Sequence, residues 1–157
     1  MRIYGFAPVE DEKARILIVG SMPSVMSLKD NFYYAHSRNA FWPIMAQILT
    51  SPLPETIDEK KWLLIQNRIA LWDVYASCER EGSLDSAIRA GEKNDFALFF
   101  KTHPDIRAVL ANGSAAFKAF EFKAPVPVLR LPSTSPAYTM KYENKLALWQ
   151  DAITKYL

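Results

Sequence analysis

Residues 16–24 read Ile16-Leu17-Ile18-Val19-Gly20-Ser21-Met22-Pro23-Ser24, an apolar run that passes directly into a polar turn. A continuous apolar run of this kind is typical of a strand that is buried on both faces of a parallel sheet. Open α/β sheets bind their ligands at the carboxyl ends of such strands. We therefore expect the turn that begins at Gly20 to belong to a functional site.

Three further apolar runs extend this interpretation to a whole sheet. Together they predict four buried strands, at about 15–20, 68–72, 106–111 and 127–131. The segments between and after them have helical periodicity, which predicts helices at about 41–48, 58–66, 94–103, 115–120 and 142–156. Alternating strands and helices predict an α/β fold, a three-layer α/β/α sandwich around a four-stranded parallel sheet. Residues 20–38 are expected to form a long functional loop.

The composition is that of one folded domain, which we expect to span residues 1–157. Half of the residues are apolar and the net charge is only +2, which neither requires nor excludes a nucleic-acid partner. The single cysteine, Cys78, excludes an internal disulfide and argues against a structural zinc or iron–sulfur site. No signal peptide or transmembrane run is visible, which predicts a cytoplasmic protein, nucleoid-associated in a prokaryote, without a membrane partner.

Two more predicted strands end in polar residues. The third strand leads into Asn112, and the fourth leads into the loop Pro132-Ser133-Thr134-Ser135-Pro136. Because the carboxyl ends of parallel strands lie at one edge of a sheet, we expect both to converge with the Gly20 turn on one pocket.

These motifs resemble those of the uracil-DNA glycosylase superfamily, and more narrowly its hypoxanthine-DNA (deoxyinosine) glycosylase branch. Residues 20–24 match the superfamily's Gly-x-x-Pro turn, and residues 132–136 match its last motif. The segment Tyr34-Ala35-His36, together with Asn39 and Phe41-Trp42, is similar to the mismatch-specific branch. The resemblance covers nearly the whole chain.

Two positions depart from the classical enzymes. Met22 stands where the mismatch-specific branch has Asn, and Leu131 stands where the classical last motif begins with His. Neither side chain can hydrogen-bond strongly, so efficient uracil removal by the classical route is not expected. The deoxyinosine branch resembles this chain in both respects, which implies that the downstream Asn39 is the catalytic residue.

The resemblance implies a monofunctional DNA glycosylase of base-excision repair. Such an enzyme flips deaminated adenine (hypoxanthine) out of double- or single-stranded DNA and hydrolyses its N-glycosidic bond, which leaves an abasic site. In this chain Asn39 would position the attacking water. No cofactor and no metal ion are expected, and we expect a monomer.

Further roles are implied for two groups of residues. Substrate contacts are expected from the pocket residues, with Asn112 reading the base and Tyr34 stacking on it: Gly20, Ser21, Met22, Tyr34 and Asn112. Contacts with the DNA backbone or stack are expected from the flanking loops, with Tyr138 as the wedge: Ser24, Ser133, Thr134, Ser135 and Tyr138.

Other interpretations stay open. The chain could be a uracil, xanthine or broad-specificity glycosylase, or a non-catalytic relative that binds damaged DNA, which Met22 and Leu131 would favour. A serine hydrolase using Ser21 or Ser24 has less support, because no Gly-x-Ser-x-Gly elbow is present.

Some of these residues also have ordinary structural roles. Asn39 suits the cap of the helix at 41–48. Asp73 could cap the following helix or orient the pocket, and we expect the structural role. Ser83 and Asp85 fit the start of another helix at least as well as they fit a substrate contact.

Overall fold

The computed structural model describes residues 1–157, which form seven strands and six α-helices. In chain order these are β1 (Arg2–Tyr4), β2 (Ile16–Gly20), α1 (Val25–Asp30), α2 (Phe41–Ile48), α3 (Ile57–Gln66), β3 (Ile69–Asp73), β4 (Tyr75–Glu79), β5 (Arg89–Lys93), α4 (Phe96–Thr102), β6 (Ala108–Asn112), α5 (Ser114–Ala119), β7 (Val128–Leu131) and α6 (Tyr142–Tyr156). None of the helices combines the length and the apolar character that a membrane crossing requires.

The central sheet has the strand order β3-β2-β6-β7, and all three pairings are parallel. Strand β2 lies in the middle, where Ile18 pairs with Leu71 on one side and with Leu110 on the other. Every residue of β2 is buried, as the continuous apolar run predicts. The four predicted strands are confirmed to within two residues at each end.

Helices cover both faces of this sheet. Side chains alternate along β2, so that Ile16 and Ile18 pack in one core with α2, α3 and α6. Leu17 and Val19 pack in a second core with α4 and α5. The three-layer α/β/α architecture is therefore confirmed, as are the five predicted helices.

A second sheet was not predicted. It is antiparallel, has the order β1-β4-β5, and continues directly from the end of β3. Strand β5 is exposed along its whole length, so it lacks the apolar alternation that reveals a strand in a sequence. Pairing with β4 brings the connection between these strands, residues 80–88, beside the Gly20 turn.

The expectation of a long loop at 20–38 needs correction, because it contains the helix α1. The Ser24 hydroxyl caps this helix by accepting a hydrogen bond from the Ser27 amide at 3.1 Å. Asn31 ends it in the left-handed conformation, with φ 60°. Its six residues are too few to show a helical period in the sequence.

Candidate functional site

A cavity of about 140 Å³ opens at the carboxyl edge of the parallel sheet. This volume is close to that of a roughly 150 Å³ cavity able to hold benzene, so the site suits one small aromatic ring system. Every predicted site residue except Tyr138 lines it, namely Gly20, Ser21, Met22, Ser24, Tyr34, Asn39, Asn112, Ser133, Thr134 and Ser135. Asn39 and Asn112 therefore meet at one cavity, and the predicted convergence of the strand ends is confirmed.

The Gly20 turn forms the floor of this cavity and is held by backbone hydrogen bonds. The Gly20 carbonyl accepts from the Val74 amide at 2.7 Å, and the Ser21 carbonyl accepts from the Tyr75 amide at 3.1 Å. A Cβ atom on Gly20 would lie 2.6 Å from Asp73 Oδ1 and 2.7 Å from the Tyr34 hydroxyl oxygen. The strand therefore has to end in glycine for these two side chains to approach it.

Asn39 is half-buried at the start of helix α2. The expected N-cap role needs correction, because Ala40 is the N-cap of α2 and Asn39 precedes it. Asn39 Oδ1 instead accepts a hydrogen bond from the Phe41 amide at 2.9 Å, an Asx turn that leads into the helix. That bond fixes which end of the carboxamide is the oxygen. The Nδ2 donor and one further lone pair of Oδ1 remain for other partners. The catalytic role of Asn39 stays a prediction.

Asn112 and Thr134 join the ends of β6 and β7. The Thr134 amide donates to Asn112 Oδ1 at 3.0 Å, and Asn112 Nδ2 donates to the Thr134 hydroxyl at 3.0 Å. Thr134 is only 1% exposed, so its predicted contact with DNA is wrong: its side chain cannot reach a phosphate. Asn112 keeps one N–H and one lone pair for a ligand, and its role in reading the base stays a prediction.

Tyr34 has the left-handed backbone conformation, with φ 52°, which is uncommon for a bulky residue. Its ring stacks on Phe41 with centroids 4.3 Å apart, so one face is covered and only the other is left for a ligand. Its hydroxyl is buried without a hydrogen-bond partner. Burial raises the pKa of Tyr34, as does Asp73, while the nearby Asn112 carboxamide lowers it without meeting the hydroxyl in hydrogen-bonding geometry.

Asp73 is a site residue, although the sequence favoured a structural role for it over one in the pocket. No helix follows it, so the expected helix cap is wrong; it ends β3 beside the Gly20 turn and lines the cavity. It is 4% exposed, and its Oδ2 has no hydrogen-bond partner. Burial, followed by the charge of Asp85, raises the pKa of Asp73 to about 7, while Arg80 opposes this rise. Its position at the end of a parallel strand was the signal that could have identified it.

The connection between β4 and β5 closes another side of the cavity. The Ser21 hydroxyl donates to Asp85 Oδ1 at 2.5 Å, and the Val25 amide donates to the Ser83 hydroxyl at 2.8 Å. Asp85 begins a single 3₁₀ turn, so the predicted helix start is present but short. Ser83 and Asp85 also line the cavity, which gives this connection a place in the site.

The loop after β7 is held from behind by helix α6. Lys145 is buried, and its Nζ donates to the Ser135 carbonyl at 3.0 Å. Tyr138 lies outside the cavity, is 47% exposed, and has Lys145 Nζ 5.5 Å from its ring centroid. The DNA contacts predicted for Ser24, Ser133, Ser135 and Tyr138 stay predictions.

Comparison with known proteins relates the whole chain to a family. The family model described as the uracil DNA glycosylase superfamily matches residues 7–156. A hypoxanthine DNA glycosylase of Methanosarcina barkeri is 36% identical over 150 residues, which cover 94% of this chain and 85% of that protein. A hypoxanthine DNA glycosylase of Methanosarcina acetivorans is 37% identical over 155 residues, which cover 93% of this chain and 94% of that protein. The solution NMR structure of a putative uracil DNA glycosylase from Methanosarcina acetivorans has a TM-score of 0.87 at 32% identity and covers 99% of both chains.

Proposed function

Because this chain belongs to the uracil-DNA glycosylase superfamily, we propose that it is a DNA glycosylase that removes hypoxanthine from DNA. It hydrolyses the N-glycosidic bond, leaves an abasic site, and thereby starts base-excision repair. Two relatives that carry the name hypoxanthine DNA glycosylase are 36% and 37% identical to it over most of both chains. The cavity shared by Asn39, Tyr34 and Asn112 is the structural observation that carries this proposal.

The size and position of the cavity suit a base that has left the DNA stack. A base inside a duplex cannot enter a recess of about 140 Å³ at the sheet edge, so the nucleotide has to be extruded. The inosine pair is weaker than a normal pair, which lowers the cost of extrusion.

Hydrolysis breaks the bond between the sugar carbon and the base nitrogen, whose electron pair leaves with the base. Positive charge develops on the sugar, so the water that attacks it has to be placed rather than strongly activated. The free lone pair of Asn39 Oδ1 can accept a hydrogen bond from that water, because the Phe41 amide holds the carboxamide in a fixed orientation. Preorganised donors around the leaving base stabilise its negative charge, and Asn112 retains one such N–H.

The first prediction concerns Asn39. Asn39→Ala should reduce single-turnover release of hypoxanthine about 100-fold or more, the usual size of a positioned catalytic group. Release is measured on labelled duplexes carrying hypoxanthine, uracil or xanthine, followed by alkali to cut abasic sites. The comparison of the three bases also tests for uracil, xanthine or broad specificity.

Two control variants separate chemistry from folding. Asn39→Ala also removes the hydrogen bond to the Phe41 amide, which costs about 1 kcal/mol of stability, so Asn39→Ser, which retains a side-chain oxygen, is measured beside it. Gln150→Ala removes a carboxamide from the exposed face of α6 and should leave release unchanged. Unaltered release by Asn39→Ala would remove Asn39 from the mechanism. Salt-dependent DNA binding by the wild type without abasic sites would instead indicate a non-catalytic relative.

A further inference from the structure

Two buried polar atoms in the cavity have no hydrogen-bond partner in the protein: the Tyr34 hydroxyl and Asp73 Oδ2. Both side chains approach the same point above Gly20, where a Cβ would lie within 2.7 Å of each. An unsatisfied buried polar group is unfavourable, and a ligand that supplies the missing partner is one reason for a fold to retain it. The pair therefore indicates a ligand with one donor beside one acceptor.

Deamination changes which atoms at the edge of a base donate and which accept hydrogen bonds. Adenine presents a lone pair at N1 next to an amino donor at C6. Hypoxanthine presents an N–H donor at N1 next to a carbonyl acceptor, O6. Uracil and xanthine carry the same lactam pattern, in which a ring N–H stands beside a carbonyl. An ionised carboxylate can only accept a hydrogen bond, so it favours a ring N–H over a ring lone pair.

We propose that Asp73 and Tyr34 together read the lactam edge of the extruded base, with the Asp73 carboxylate accepting the ring N–H and the Tyr34 hydroxyl donating to the neighbouring carbonyl. This inference rests on the proposed function and names the feature that the site recognises. It replaces the predicted stacking of Tyr34 with an edge contact, because one ring cannot both lie over the base and donate in its plane. Adenine is rejected because its N1 lone pair faces the carboxylate. The feature recognised is the change that deamination of adenine or cytosine makes at this edge. Guanine and thymine also present a ring N–H beside a carbonyl, so other contacts have to exclude them.

The charges around Asp73 suit this role. Burial and the charge of Asp85 raise the pKa of Asp73, and Arg80 lowers it; burial, with Asp73 as a smaller cause, also raises the pKa values of Tyr33 and Tyr34. With a pKa of about 7, Asp73 exchanges its proton near neutral pH. The N–H of a bound lactam stabilises the ionised form. The protonated form can donate to adenine N1, so discrimination against adenine should weaken as the pH falls below 7.

The test uses hypoxanthine methylated at N1, which keeps O6 but loses the N–H. Single-turnover release of this base and of hypoxanthine is compared in matched duplexes. The wild type should strongly prefer hypoxanthine. In Asp73→Ala, hypoxanthine release should fall about tenfold or more, because the acceptor for the ring N–H is gone. The preference, which is the ratio of hypoxanthine release to release of the methylated base, should fall at least tenfold, because the truncated side chain leaves room for the methyl group. In Tyr34→Phe, release should fall about tenfold while the preference stays unchanged, because only the contact with O6 is lost.

Asp151→Ala, which removes a carboxylate from the exposed face of α6, is the matched control and should alter neither quantity. Urea unfolding of each variant verifies that it is folded. If Asp73→Ala lowers the release of both bases equally, so that the preference is unchanged, Asp73 is only structural and the inference is overturned. If the wild type releases no base at all, the proposed function itself fails, and the two failures are thus distinguished.

Discussion

At the scale of single residues, the site contains adjacent tyrosines with opposite hydrogen-bonding states. The Tyr33 hydroxyl donates to the Ala7 carbonyl at 2.8 Å, whereas the Tyr34 hydroxyl is buried without a partner. Both rings pack in the same aromatic cluster, with centroids 6.4 Å apart. Tyr33 is therefore a structural residue, and Tyr34 has a polar atom that the fold does not use.

This contrast predicts opposite effects on stability from the same chemical change. Tyr34→Phe should leave the free energy of unfolding unchanged or raise it by up to about 1–3 kcal/mol, because an unsatisfied hydroxyl is removed. Tyr33→Phe should lower it by about 1 kcal/mol, because a hydrogen bond is lost. Urea unfolding of both variants provides the comparison. A larger loss of stability in Tyr34→Phe than in Tyr33→Phe would show that the Tyr34 hydroxyl does have a partner.

At the scale of elements, the site is assembled by segments that are far apart in the sequence. The turn after β2, the start of α2, the end of β6 and the loop after β7 supply the predicted residues, and the connection after β4 adds Ser83 and Asp85. Helix α6 supports the β7 loop through Lys145, and also through Trp149, whose indole N–H donates to the Pro132 carbonyl at 2.9 Å. This helix therefore positions a loop without lining the cavity.

This support predicts a particular kind of DNA-binding defect. Lys145→Met keeps the buried aliphatic stem but loses the donor to the Ser135 carbonyl, so the loop should loosen and DNA affinity should fall several-fold. Because Lys145 is buried, it does not neutralise a phosphate, and the salt dependence of binding should not change. Binding is titrated at several salt concentrations, with Lys155→Met on the exposed side of the same helix as control. A decrease of about 1 in the salt slope would assign Lys145 to a phosphate contact instead.

At the scale of the whole molecule, the free energy of folding is linked to the protonation of the site. The folded protein holds the Asp73 proton up to about pH 7, whereas the unfolded chain releases it near the ordinary value of 3.8. Between these pH values the folded state binds more protons. The contribution of Asp73 to the free energy of unfolding is therefore largest below the unfolded pKa of 3.8. It declines as the pH rises from there to the folded pKa of about 7, above which it is constant. The fold retains an unfavourable buried carboxyl at its site, which is common where function requires it.

The linkage predicts a measurable difference between the wild type and Asp73→Asn. As the pH rises from about 4 to 7, the unfolding free energy of the wild type should fall relative to that of Asp73→Asn. The slope of this fall is at most about 1.4 kcal/mol per pH unit. Above the folded pKa the difference should level off. Urea unfolding at half-unit pH steps measures both curves. Parallel curves over this range would mean that Asp73 titrates in the folded protein as it does in the unfolded chain.

Most of the architecture could be predicted because its cause is local. An apolar run such as Ile16–Val19 can be satisfied only where both faces and both edges of a strand are covered, and amphipathic segments such as 142–156 supply that cover. The polar turns at Gly20 and Asn112 follow directly from strand ends, so their convergence at one edge was also predictable. The exposed strand β5 could not be predicted, because neither of its faces is buried and its sequence therefore lacks alternating apolar residues.

The chemistry of the cavity depends on distances between segments, which no local pattern contains. In the sequence, Thr134 has the features of a phosphate-binding residue, but in the fold it is paired with Asn112 and buried. Asp73 has the features of a helix cap in the sequence, but the strand β4 follows it instead of a helix. Whether a polar atom is satisfied is a property of all its neighbours together. The free Asp73 carboxyl and Tyr34 hydroxyl therefore became visible only once strands β2, β3 and β6 lay side by side.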